Sequence, residues 1–142
     1  SFQHLMAANA LHAEVPLNFR GELAVNDDEE IDLKKFGSRI FVDAGRILAL
    51  TAGTRSVNTV ERLLQAGETI GLPAQEQAGF VAAFSHILRL RLAQQSAAPD
   101  ASVTMGSGLK PSMLHDLDRA ILRESLKQAR RLQQRLKLNY SL

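Results

Sequence analysis

The chain has 142 residues, 45% hydrophobic and 23% charged, a size and composition suited to one folded domain with a single core. It contains no Cys, which excludes a disulfide scaffold, a zinc–thiolate site and a cysteine nucleophile. The formal charge of +2 conceals an asymmetry: Glu22, Asp27, Asp28, Glu29, Glu30 and Asp32 crowd one early segment, whereas Lys110 to Lys137 carries eight basic and three acidic side chains.

Leu, Ala, Gln, Glu and Arg are plentiful and aromatics make up 5%, which favours helix over sheet. Residues 2–13 read as a short helix, with Phe2, Leu5, Met6 and Ala10 at helical spacing from the outset, as in a fragment of a longer chain. Pro16 ends it, and an irregular segment follows over 14–37. Within that segment Phe19, Leu23, Val25, Ile31 and Leu33 suit a short hairpin around Asn26-Asp27-Asp28.

Ser38 is placed to cap a helix to about Ala52, whose Ile40, Ala44, Ile47, Leu48 and Thr51 share one face and which Gly53 stops. Asn58 and Glu61 have the spacing of a capping box and open a third helix through Val60, Leu63, Leu64 and Ala66 to Gly71. Pro73 opens a fourth to about Ala97, with Gln77, Phe80, Phe84, Ile87, Leu88 and Leu92 in one sector. Ser96 to Lys110 reads as a loop, and Pro111 opens the last helix, to about Leu138. There Leu114, Leu117, Ile121, Leu122, Ala129, Leu132 and Leu136 fall opposite Arg119, Arg123, Lys127 and Arg130. The expected architecture is all-α: a single domain over 1–142 built as a four-helix up-down bundle, with the short first helix and the irregular segment across one end.

Tests for chemistry on the chain itself find unsuitable geometry. Gly106-Ser107-Gly108 follows no strand. Asp116 and Asp118 lie two apart on a helix, where their side chains diverge. His4, His12, His86 and His115 have no partner at i+3 or i+4 to complete a metal site. The chain is therefore expected to carry no catalytic residues and to require no metal or cofactor. No uncharged apolar run approaches the roughly 20 residues that span a bilayer, and no basic-then-apolar signal peptide opens the sequence, so a cytoplasmic setting without membrane contact is expected. The basic face of the last helix lacks the interleaved aromatics of a nucleic-acid site.

The informative residues are polar ones that break the apolar pattern. Arg91 and Gln95 share the sector of Phe80, Phe84 and Ile87, so they point to the core or to a cavity in it, and a charge there needs a partner. Asp43 and Arg46 flank the apolar face of the second helix, and Asn58, Thr59, Glu61 and Arg62 cluster at the start of the third. Two readings stand: a salt-bridge network with Asn58 and Thr59 capping, or a pocket for an anionic ligand.

At these residues a resemblance becomes specific. It rests on Ile31-Asp32-Leu33-Lys34-Lys35, Val42-Asp43 with Arg46 and Ala49-Leu50, Asn58-Thr59-Val60-Glu61-Arg62-Leu63, Leu88-Arg89-Leu90-Arg91, and Leu122, Leu126-Lys127, Ala129 and Arg130-Arg131-Leu132-Gln133. In that order, from Leu5 to Tyr140, the chain resembles the substrate-binding domain at the C-terminus of CBS-domain-linked nucleotidyltransferases. The resemblance implies a bacterial signal-transduction protein in which CBS or cyclic-nucleotide-binding domains precede a nucleotidyltransferase domain similar to PII-protein uridylyltransferases. The parent would use a nucleoside triphosphate and Mg, and this domain would form one wall of the substrate cleft. Partners would be those upstream domains, an acceptor protein or nucleotide, and in some settings a second copy of the chain. The substrate contacts that follow are Lys34, Lys35, Asp43, Arg46, Asn58, Thr59, Glu61, Arg62 and Arg91, with arginine forks on phosphate or carboxylate. The sequence departs from the pattern at Leu92-Ala93, where the family often carries His-Gln, and at Ala98-Pro99-Asp100-Ala101-Ser102. A protein-interaction or dimerisation bundle is the competing class.

Overall fold

The computed structural model describes residues 5, 8, 13–97 and 108–140. Apart from residues 5, 8 and 13, the helix expected over 2–13 lies outside them. Four helices dominate: α1 (Arg39–Ala52), α2 (Thr59–Thr69), α3 (Ala74–Ala97) and α4 (Asp116–Tyr140). Among the described residues the fold is all-α apart from an isolated antiparallel bridge between Leu17 and Leu23 and two two-residue strands, β1 (Ile31–Asp32) and β2 (Gly108–Leu109), which pair antiparallel with Ile31 opposite Leu109. Each helix has two principal neighbours: α1 packs on α2, α2 on α3, α3 on α4, and α4 back on α1.

The helix ends follow from local chemistry. Gly53 closes α1 at φ +72°, a left-handed conformation glycine adopts without strain. Asn58 caps α2, its Oδ1 accepting the Glu61 N–H at 3.2 Å. Asn58→Ala is expected to cost about 1 kcal/mol of stability, visible as a lower urea midpoint.

The hairpin expected around residues 26–28 is replaced by two separate turns. Asn18 and Asn26 each fold the backbone onto a side-chain Oδ1, which accepts the N–H groups of Arg20 and Glu22 in one case and of Asp28 and Glu30 in the other. Ile31 then pairs with Leu109 instead of with residues 19–25, leaving Phe19 exposed.

Ser38 is not an N-cap. Asp32 Oδ1 accepts the N–H groups of Lys34 and Lys35, starting a π-helical turn over Lys34–Ser38 that runs directly into α1. Here Ser38 N–H donates to the Leu33 carbonyl five residues back, and Arg39 N–H to that of Lys34. Pro111 opens a separate 3-10 turn (Pro111–Met113) rather than the last helix, which begins at Asp116.

The core is one cluster. Phe41 and Ile47 of α1, Phe80 and Ile87 of α3, and Leu122, Leu126, Leu132 and Leu136 of α4 are almost wholly buried, with Leu33 before the π turn. The rings of Phe41 and Phe84 meet at 5.7 Å between centroids, tilted by 43°. Leu92, Gln95 and Leu117, expected to point inward, are exposed instead.

The basic face of α4 holds the irregular segment down. Arg130 Nη2 donates to the Leu17 carbonyl at 3.0 Å and Gln133 Nε2 to that of Ala13 at 2.7 Å, contacts spanning more than 100 residues of sequence. At its far end Arg135 donates through Nε and Nη2 to both carboxylate oxygens of Glu76, each at 2.6 Å, tying the end of α4 to the start of α3. Arg135's hydrogen bond and charge hold the Glu76 carboxyl below its ordinary value near 4.5, against the opposing effect of burial. Because the folded-state value is the lower one, the pair's contribution is fully present above the unfolded value and is lost as pH falls through the folded one. Glu76→Gln should thus lower the urea midpoint at neutral pH and leave it unchanged once the pH has fallen below both the unfolded and the folded value.

Candidate functional site

Three elements meet to form a basic cleft of about 490 Å³, lined by Lys34 and Ser38 of the π turn, Arg39, Val42, Asp43 and Arg46 of α1, and Arg91 of α3. Arg39, Val42, Asp43 and Arg46 follow the i, i+3, i+4, i+7 spacing of one helical face, so α1 presents them as a stripe. Lys34 joins through the π turn. At α-helical pitch, residues five apart point about 140° away from each other. Widening the turn to i→i+5 brings Lys34 round to the side of Arg39.

Arg91 forms the opposite wall. Gly37 allows the turn to sit directly on α3: a Cβ there would lie 3.3 Å from Ile87 Cγ2. Arg91, one helical turn beyond Ile87, then reaches across so that its Nη1 donates to Ser38 Oγ at 3.0 Å. Ser38, only 3% exposed, donates its own hydroxyl proton to the Leu33 carbonyl at 3.4 Å. The serine thus orients the guanidinium, which lines the cleft.

Four cations against one carboxylate leave the lining with a formal charge of +3. Among the described residues no salt bridge involves Lys34, Arg39, Arg46, Arg91 or Asp43; the three ion pairs are Arg119–Asp116, Lys127–Glu124 and Arg135–Glu76. Lys34, Arg39 and Arg46 are exposed, and Arg91 is half-buried. Cations converging from two walls, without an ion pair among the described residues, make the cleft electrostatically suited to an anion.

Of the nine residues expected to contact substrate, Lys34, Asp43, Arg46 and Arg91 line this cleft and the other five do not. Lys35 is exposed, with its Nζ 5.3 Å from the centre of its neighbour Phe36. Asn58 is a cap. Glu61 Oε2 accepts the Ser56 hydroxyl at 2.6 Å, and Arg62 Nε donates to the Ser56 carbonyl at 2.7 Å. Thr59 and Arg62 lie over Gly45, where α2 crosses α1. This second group therefore shapes the link and the crossing. Sequence reasoning missed Arg39 and the positioning role of Ser38. The Arg39, Asp43, Arg46 spacing was the available signal.

The four helices, and a face on which one serine-held arginine meets three further cations, stand beside a sequence match over almost the whole length. The model of a family described as "Putative nucleotidyltransferase substrate binding domain" covers residues 1–140. The chain belongs to this family. No curated protein and no solved structure matches the chain. Among the described residues no helix is long and apolar enough to cross a membrane, and no cluster of three His, Cys, Asp or Glu residues could hold a metal ion.

Proposed function

We propose that the domain binds the anionic part of a substrate in the cleft between the π turn, α1 and α3, and forms one wall of the substrate cleft of a nucleotidyltransferase. The observation that carries this reading is the convergence of Lys34, Arg39, Arg46 and Arg91 on one cleft without an ion-pair partner among the described residues. Such cations hold phosphate or carboxylate groups, the arginines by two-pronged hydrogen bonds. The short links from α1 to α2 and from α2 to α3, and the cyclic order of neighbouring helices, support an up-down bundle as the scaffold.

In this reading the catalytic carboxylates, Mg and the nucleoside triphosphate belong to a nucleotidyltransferase domain of the same polypeptide. CBS or cyclic-nucleotide-binding modules would precede it in a cytoplasmic bacterial signalling protein. An acceptor protein or a nucleotide is the substrate presented.

The test is a calorimetric titration of the chain with nucleoside triphosphates and with candidate acceptor proteins, repeated on Arg46→Ala. The variant is expected to bind at least about tenfold more weakly, since a lost charge-assisted hydrogen bond is worth roughly 1.5–3 kcal/mol. Its urea midpoint should be unchanged, because Arg46 is exposed. Failure of every ligand to bind would overturn the reading.

A second reading, a protein-interaction or dimerisation bundle, is favoured by Leu50 of α1, Val57 of the link and Leu64 of α2, which are 50%, 84% and 40% exposed. Sedimentation equilibrium separates the two. A stable dimer whose formation blocks anion binding would favour the second.

A further inference from the structure

Resting on the reading of this cleft as an anion site, we infer that it takes a chain of linked phosphates and makes no selection among nucleoside bases. Three features of the lining carry this. First, Arg39 and Arg46 lie seven residues apart on α1, so their backbones are separated by about 10.5 Å along the axis. Asp43 stands between them on the same face and repels an anion drawn to the middle. One phosphate or carboxylate meets the arginine at one end, whereas a phosphate chain meets both.

Second, the cations are unevenly placed. Lys34 precedes Arg39 through the π turn, and Arg91 is fixed beside them by Ser38, so three cations gather at the Ser38 end, with Arg46 two helical turns away. A terminal phosphate, which carries the most charge, suits the crowded end, and the rest of the chain runs toward Arg46. Third, among the described residues no aromatic side chain lines the cleft and Val42 is the single apolar one, so they offer no face on which a base could stack. A nucleotide bound here would keep its sugar and base outside the cleft.

The experiment titrates the 142-residue chain with inorganic tripolyphosphate, orthophosphate, each of the four common nucleoside triphosphates, and adenosine. Tripolyphosphate and the four nucleotides should bind within about threefold of one another, orthophosphate at least about tenfold more weakly, and adenosine not at all. Arg46→Gln should weaken tripolyphosphate about tenfold and leave orthophosphate unchanged, while Arg39→Gln should weaken both. Circular dichroism and urea midpoints matching the parent chain establish that both variants fold.

The inference is overturned if one base is preferred tenfold or more, if adenosine binds, if orthophosphate matches tripolyphosphate, or if Arg46→Gln weakens the two equally. Binding of an acidic acceptor protein without any phosphate compound would overturn it and leave the anion-site reading standing. Silence from every anion would overturn both.

Discussion

Phe41→Ala is expected to lower the unfolding free energy by about 3–5 kcal/mol, measured from urea denaturation of the two proteins under identical conditions. Phe41 is wholly buried in α1 and its ring meets Phe84 of α3, so truncation removes apolar contact and an aromatic pair at once. The cavity would lie where the helix carrying Arg39 and Arg46 packs against its surroundings, far enough inside that the cationic stripe itself is untouched. Anion binding, measured where both proteins are folded, should therefore change little. A loss below about 1 kcal/mol would mean that neighbouring side chains collapse into the space.

Gly37→Val should weaken folding and the cleft together. A Cβ at this position already approaches Ile87 Cγ2 to 3.3 Å, closer than ordinary contact, and the valine methyls extend further into α3. Forcing atoms into a packed junction costs about 1–3 kcal/mol, and here the strain is relieved by separating the π turn from α3. That separation lengthens the Arg91–Ser38 hydrogen bond, so tripolyphosphate affinity should fall along with the urea midpoint. Ser38→Ala supplies the contrast, since it releases Arg91 without adding bulk: binding should weaken with a smaller stability change. If Gly37→Val lost stability and bound normally, Arg91 would not depend on the turn for its placement.

Much of the fold was legible because helix ends are written in local chemistry. Gly53, the Asn58 and Glu61 pair, and the Gly71 to Pro73 stretch each mark a boundary by a conformational or hydrogen-bonding requirement that few other residues meet. What escaped depends on partners distant in the chain. Ile31 pairs with Leu109, and nothing near Ile31 announces a partner 78 residues away. Leu92 and Leu117 fit the apolar sectors of their helices yet face solvent, because periodicity gives a direction and cannot say whether a neighbour lies there.

The lining of the candidate cleft was half legible for a related reason. Arg91 stood out as a charge in an apolar sector, and Asp43 and Arg46 as edge residues of a helix. Arg39 did not, because arginine at the start of a helix is ordinary in solvent. Ser38 was misread because a serine ahead of an apolar helix has the signature of a cap, and only the five-residue turn before it redirects its hydroxyl to Leu33 and Arg91. Asn58, Glu61 and Arg62 were conspicuous for capping and linking, interactions that use the same residue types as a binding site.

The wide turn at Lys34–Ser38 makes the spacing of charges depend on a count of residues as well as on their identity. Were the same residues wound at ordinary helical pitch, every cation would stay in the chain, but Lys34 and Arg39, five residues apart, would point about 140° away from each other. Lys34 would swing away from Arg39, and the cleft would lose a wall without losing a charge. A protein engineer could thus tune ligand affinity here through the pitch of this segment, leaving the electrostatic composition of the molecule as it is.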